Sequence, residues 1–208
     1  MTNPPRRDRR HLAFRVEPNA RRYRLRLARY VALAQTISER VESGKAQQSE
    51  PLRLFDAGAG KGRTMQYLEP HQVNGDLEFH AIECDTSRLK VMFGHDKWHS
   101  IIQADLNDGI PYPDDHFDIV VCEQVLEHLD SPKPVLRELA RVLKPHGLLI
   151  IGVPTYPPGI AAIRRYLVPL LDRLIGKQRG HSQVFTAGGL RRFIEEQPRM
   201  NVDRVRGF

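Results

Sequence analysis

Five apolar runs of strand length, Leu52–Phe55, Phe79–Ile82, Ile101–Ile102, Ile119–Cys122 and Leu148–Val153, alternate with helical stretches near Arg63–Leu68, Ser87–Phe93 and Pro132–Leu143. Strands that are apolar almost throughout must be buried on both faces, and strands separated by helices pair in parallel. The expected fold is therefore α/β, a doubly wound, mostly parallel sheet with helices on both faces. The third helix is the clearest. Ser131 stands at its cap position and Pro132 in its first turn, and Val135, Leu136, Leu139, Ala140 and Leu143 form its buried stripe. Ligands of such sheets bind at the carboxyl ends of the strands, beside the switch in strand order, so functional residues should directly follow strands.

Around this core, residues 51–154, the chain divides by composition. Residues 1–19, with Asn3-Pro4-Pro5, an arginine cluster and Pro18, lack periodicity and read as a disordered, Arg-rich arm. A single domain is expected over 20–208. It opens with a helix over 20–44, in which Tyr23, Leu27, Tyr30, Val31, Ala34, Ile37 and Val41 recur at spacings of three and four and Gly44 is the stop. Arg22, Arg26 and Arg29 are assigned to the opposite, outer face. After the core, residues 155–185 form a helical cap. Ile160, Ile163, Tyr166, Leu167, Leu170, Leu171, Leu174 and Ile175 are interleaved there with arginines, and Pro169 splits the stretch into two short helices. Residues 186–208 supply a last helix, from about Gly188 to Glu196, and a sixth strand at Val202–Val205.

The net charge of +7 suggests an anionic partner, but its distribution matters more. Residues 1–30 hold ten arginines against two acids, a balance of +8; residues 31–158 hold 12 basic and 19 acidic residues, −7; residues 159–208 hold ten and four, +6. An acidic middle between basic ends argues against a uniformly basic nucleic-acid binder. Two cysteines, Cys84 and Cys122, form neither a disulfide framework nor a CxxC pair. No apolar run reaches the roughly 20 residues needed to cross a bilayer. The first serine is Ser38, so the arm lacks the serine content of a mitochondrial transit peptide, and the chain reads as cytoplasmic.

The first strand runs into Asp56-Ala57-Gly58-Ala59-Gly60-Lys61-Gly62. Alternate glycines let a backbone approach a ligand closely, and the next helix offers free N–H groups. A P-loop is excluded, since Phe55 stands where its first glycine belongs and Gly62 follows the lysine. The spacing GxGxG also fails the dinucleotide fingerprint. Asp56 would repel a pyrophosphate and suit a ligand with a cationic amino group. The second strand ends at Glu83, suited to two ribose hydroxyls, with Asp85 as its rival. The third runs into Asp105, suited to an adenine amino group. Each acid alone is most simply a helix cap or a solvated loop residue; three in succession are not easily coincidence.

Leu54–Gly62 resembles the first motif of class I S-adenosylmethionine-dependent methyltransferases. Gln103-Ala104-Asp105-Leu106, Ile110–Asp114, Phe117-Asp118, Val125-Leu126-Glu127-His128 and Arg141-Val142-Leu143-Lys144-Pro145 are similar to the branch acting on small molecules and lipids. The resemblance implies a Rossmann-like fold and S-adenosylmethionine as cofactor. Its methionine part would lie against Asp56, Ala57, Gly58, Gly60 and Gly62. Glu83 with Cys84 would meet the ribose, Asp105 with Leu106 the adenine, and Glu123 would line the pocket. His146, in Lys-Pro-His-Gly, departs from the two glycines usual in the family. The family also usually continues into a seventh, antiparallel strand; with the chain stopping at Phe208, that strand is expected to be missing.

Methyl transfer needs mainly alignment, with a general base only where the acceptor loses a proton. His128, Glu127 and His181 are the candidates, and His128 reads equally well as a residue packed beneath the pocket. Ubiquinone-type O-methyltransferases carry Glu-x-x-Glu-His where this chain has Gln124-Val125-Leu126-Glu127-His128. Loss of the first acid removes a charge that a hard cation needs, so no tightly bound metal is expected. Neither Asn/Asp-Pro-Pro-Tyr/Phe nor a Pro-Cys pair follows the fourth strand, which argues against nucleic-acid base methylation; Cys122 reads as a buried structural thiol. The expected acceptor is small and hydrophobic or lipid-like, with the cap as a site of peripheral contact with an anionic membrane. The rivals are an RNA or protein acceptor guided by the basic arm, and a non-catalytic protein that retains the cofactor site.

Overall fold

The computed structural model describes residues 20–44, 50–68, 76–92, 97–167, 183–198 and 200–207. Helix α1 (Ala20–Gly44) leads into β1 (Leu52–Ala57), α2 (Arg63–Leu68), β2 (Leu77–Glu83), α3 (Thr86–Met92) and β3 (Trp98–Gln103). Strand β4 (Phe117–Glu123), α4 (Pro132–Val142), β5 (Leu143–Gly152), α5 (Pro158–Ala162) and α6 (Ala187–Glu195) complete it. The five strands form one sheet in the order β3-β2-β1-β4-β5, all pairs parallel. Each anticipated strand and helix of the core is present. The order reverses between β1 and β4, so the crevice expected of such a sheet opens at the carboxyl ends of these two strands.

Strand periodicity divides the apolar side chains between two layers. Leu52, Leu54, Leu77, Phe79, Ile119 and Val121 face Leu33, Ala34, Ile37 and Val41 of α1 and Met65, Tyr67 and Leu68 of α2. Phe55, Ala57, Ile82, Val120 and Cys122 face Val135, Leu139 and Val142 of α4, with Leu190 and Phe193 of α6 packed alongside. Cys122 is fully buried, as a structural thiol should be. Ser131 does occupy the cap position of α4, but its side chain makes no capping bond.

Two expectations need revision. Arg29 is not on the outer face of α1: it lies four residues before Leu33 and eight before Ile37, which extends the buried stripe. Val202–Val205 is not a strand. The two valines are three apart and would point to opposite faces of a strand, so neither face would be apolar. Val205 is exposed and Arg204 Nη1 reaches Glu39 Oε2 of α1 at 3.4 Å. In the cap, α5 runs on through Ile163–Leu167 as a wider helical turn with i→i+5 bonding. The arm 1–19, Pro169 and His181 lie outside the described residues.

Candidate functional site

The turn after β1 is held by its own backbone. The amides of Gly58 and Ala59 both donate to the Ile82 carbonyl, at 2.9 and 3.0 Å, tying the turn to β2. Gly58 has φ +74°, and a Cβ there would meet Val125 Cγ2 at 2.6 Å. Gly60 has φ +61°, but a Cβ there would meet nothing within 4 Å. The first glycine therefore answers to packing, and the second to an open space above the turn.

Strand parity directs the acids that end β1, β2 and β4 to the α1 side of the sheet. Glu83 is buried and held by two amides: Oε2 accepts from the Gly60 amide at 2.7 Å and Oε1 from the Asp85 amide at 2.9 Å. Each oxygen retains a second lone pair for a ligand hydroxyl. Arg88 Nη1 stands 3.6 Å from its Oε2. Asp56 is buried, and its carboxyl is pushed up to about 7, chiefly by desolvation, with Glu123 and Glu83 adding repulsion and a hydrogen bond from Thr64 opposing them. Its Oδ2 has no hydrogen-bond partner.

Glu123, at the end of β4, is paired in register with Gly152 of β5, and a Cβ at Gly152 would overlap its carboxylate. That carboxylate meets α1: Arg29 Nε lies 2.6 Å from Oε1. Burial raises the pKa of Glu123 and Arg29 opposes the shift. Tyr30, stacked on Tyr67 with ring centroids 4.9 Å apart, is pushed up to about 12 by burial and by the nearby Glu123 and Asp56. Glu127, in a 3₁₀ turn over Leu126–His128, is also buried, and neither carboxylate oxygen accepts a hydrogen bond from another residue. Its pKa is raised by desolvation, and Arg29 and His128 draw it back. Its carbonyl accepts from the Gln183 amide at 3.0 Å, which anchors the chain beyond the cap beside it.

The remaining anticipated residues fall less centrally. Ala57 is buried in the sheet and Leu106 in the core under α4. Gly62 turns back to the Ala59 carbonyl at 3.0 Å. Cys84 is exposed, 3.6 Å from Glu83 Oε1 through Sγ, and burial with the Glu83 charge raises its pKa. Asp105 is exposed and caps its own 3₁₀ turn, accepting from Asn107 N and Nδ2 at 2.9 Å. His128 is half exposed, not packed beneath the pocket, with Nε2 4.0 Å from Glu127 Oε1. Arg29, Tyr30 and Thr64 were not anticipated. For Arg29 and Tyr30 the available signal was the spacing that continues the α1 stripe.

The structure thus gathers the buried carboxyl groups of Asp56, Glu83 and Glu127 and the largely enclosed one of Glu123, with the Arg29 guanidinium, at the reversal of strand order. An unpartnered Asp56 oxygen and open space over Gly60 fit a ligand that brings positive charge and hydrogen-bond donors. S-adenosylmethionine, which carries both, fits these residues.

Residues 55–151 match the model of a methyltransferase domain family. An uncharacterized methyltransferase of Bacillus subtilis, YcgJ, is 31% identical over 111 residues, covering 51% of this chain and 42% of the relative. A demethylmenaquinone methyltransferase of Clavibacter sepedonicus is 34% identical over 116 residues, covering 54% and 45%. The chain thus spans under half the length of either relative. The crystal structure of Bacillus subtilis YcgJ superposes with a TM-score of 0.56 at 21% identity, over 79% of this chain and 67% of that one, a likeness of fold. None of the described helices is long and apolar enough to cross a membrane. Residues 55–151 thus form a methyltransferase domain like those of these relatives, on the same fold.

Proposed function

We propose that this chain transfers a methyl group from S-adenosylmethionine to a small, hydrophobic or lipid-like acceptor. The observation that carries the proposal is the group of enclosed acids, Asp56, Glu83, Glu123 and Glu127, under the glycine turn. When bound, S-adenosylmethionine supplies a methyl group already activated by a cationic sulfur. The chain's work is to bind, orient and exclude water. Asp56 and the Gly58–Gly62 turn would hold the amino-acid end, and Glu83 the ribose hydroxyls. Cys84, Asp105 and Leu106 would border the adenine. Glu123, neutralised by Arg29, would set the wall beside the reacting group.

Glu127 is the best-supported general base. It is buried, its oxygens take no hydrogen bond from another residue, and desolvation raises its proton affinity towards the working range. His128, half exposed at 4.0 Å, would pass the proton on to solvent.

The acceptor class rests on the cap. Ile160, Ile163, Tyr166 and Leu167 are 50, 54, 73 and 47% exposed, an apolar surface that a helix ordinarily buries. Arg164 lies over the Tyr156 ring, 4.5 Å from its centroid, and Arg165 is exposed beside it. Apolar side chains with arginines among them suit an acceptor or surface with an apolar body and anionic headgroups.

The test is transfer of labelled methyl from the cofactor into a fractionated lysate, with solvent extraction, RNase and protease applied separately. Label in the organic phase is expected. Label removed by RNase or protease would overturn the acceptor class, and failure to bind the cofactor would overturn the reading as a whole.

A further inference from the structure

At the amino ends of the strands, away from the acids, a second polar group is built into the α4 face of the sheet. Glu78 and His80 alternate along β2 and point to the same side. The pairing of β2 with β3 runs Phe79↔Trp98 and then His80↔Ser100, so His99 is the extra residue of a bulge. A bulge re-aims a side chain, and here the His99 ring lies 4.8 Å from the His80 ring, centroid to centroid. One ligand atom from each of Glu78, His80 and His99 lies within 4.8 Å of the others.

His80 is the telling member. It is 4% exposed and its Nδ1 faces the Tyr112 hydroxyl at 3.4 Å; that hydroxyl meets Ser100 Oγ at 2.8 Å. In the tautomer with Nδ1–H donating to Tyr112, and Tyr112 donating to Ser100, Nε2 keeps a lone pair free to bind an ion. Nε2 has no hydrogen-bond partner. It faces Glu78 Oε2 at 3.9 Å, too far for a hydrogen bond. In that tautomer the Nε2 lone pair and the Glu78 carboxylate face each other, an arrangement that a cation between them would complete.

We propose that Glu78, His80 and His99 bind one divalent transition-metal ion of the zinc class. Two imidazoles and a carboxylate make a borderline donor set, better matched to such an ion than to magnesium or calcium. Tetrahedral bonds of about 2.0–2.1 Å put ligand atoms about 3.3 Å apart, so the present spacing must close slightly. The two members able to move are exposed His99 and half-buried Glu78, while His80 stays held by Tyr112. Arg53 Nε, 3.4 Å from Glu78 Oε2, competes for the same oxygen; its side chain is 39% exposed and can withdraw to water. His116 stacks on Tyr112 at 5.5 Å, behind His80. The ion would tie β3, the edge strand, to β2. Glu78 and Glu83 are five steps apart along β2, about 16 Å, so this site is distinct from the cofactor site.

The test is titration of the full chain with Zn²⁺ by calorimetry and with Co²⁺ by visible absorption, on wild type, His99→Ala, Glu78→Gln and His146→Asn. Expected are one equivalent of ion and Co²⁺ bands of tetrahedral intensity. Affinity should fall at least tenfold in His99→Ala and Glu78→Gln and be unchanged in His146→Asn. His99 is exposed, so its removal should leave the fold intact, checked by thermal denaturation. No stoichiometric binding, or equal affinity in wild type and His99→Ala, would overturn the proposal.

Discussion

Arg29 of α1 places its guanidinium 2.6 Å from the carboxylate of Glu123 at the end of β4, and Gly152 leaves the space that this carboxylate occupies. The contact joins the first helix to the strand ends where the crevice opens. Glu127 raises the electrostatic cost of ionising Glu123, and Arg29 lowers the pKa of both. A change at Arg29 should therefore be felt mainly through protonation of these acids.

Arg29→Met keeps the apolar stem and removes the charge. It should destabilise the protein by about 1 kcal/mol at pH 8, the upper scale of a partly exposed ion pair. Without Arg29 the carboxyl pKa values of Glu123 and Glu127 rise further, so protonation at pH 5 should relieve most of the loss. Denaturant unfolding at both pH values checks this. An equal loss at both would contradict the coupling.

Asp56, with a folded pKa of about 7 against an ordinary 3.8, binds a proton more tightly folded than unfolded. Its contribution to stability is complete below pH about 4 and is lost as the pH rises through about 7. Asp56→Asn should flatten that slope in unfolding curves taken from pH 4 to 8. Affinity for S-adenosylmethionine should move the other way, tightening several-fold between pH 6 and 8 as the carboxylate ionises. In Asp56→Asn it should be weak and nearly independent of pH.

The two glycines separate packing from binding. Both substitutions to Ala carry the cost of a left-handed L residue, about 1–2 kcal/mol. Gly58→Ala adds a clash with Val125, a further 1–3 kcal/mol or so by overpacking. Gly60→Ala should stay folded and lose affinity for the cofactor by more than tenfold, because its methyl enters the open space. Thermal melting and cofactor titration of the two variants distinguish these outcomes.

His146 is exposed at φ +61°, within β5 where that strand shifts register against β4. Glycine there removes the strain but adds about 0.5–1 kcal/mol of unfolded-chain entropy. His146→Gly should stabilise by up to about 1 kcal/mol, a rise of roughly 2–4 °C in melting temperature for a chain of this size. A lower melting temperature would show that the imidazole makes an unrecognised contribution.

The alternation of apolar runs with helical stretches was legible because each strand is buried on both faces and each helix on one. Those patterns survive any detail of packing. Asp56, Glu83 and Glu123 were legible for the same reason: each closes a strand, and parallel strands bring their carboxyl ends to one edge. Asp105 also follows its strand, yet its side chain turns back to cap Asn107, a local choice that its position after a strand did not reveal.

Other relationships depended on how elements dock. Arg29 was assigned to the outer face because it is charged, although its spacing from Leu33 and Ile37 follows the stripe. Its partner is 94 residues away, and only the seating of α1 on the sheet makes that position a place for a cation. The group Glu78, His80 and His99 depends on a one-residue bulge in the β2–β3 register, for which separated histidines carry no pattern.

The sequence by itself determined the layers of the fold, the glycine turn and the methyltransferase-like motifs, because periodicity and short motifs are properties of neighbours along the chain. The tertiary structure alone decided which charges face one another. Electrostatic pairing and burial are set by distances through space, and Arg29 with Glu123, or His80 with Glu78 and His99, have meaning only once the strands are in register.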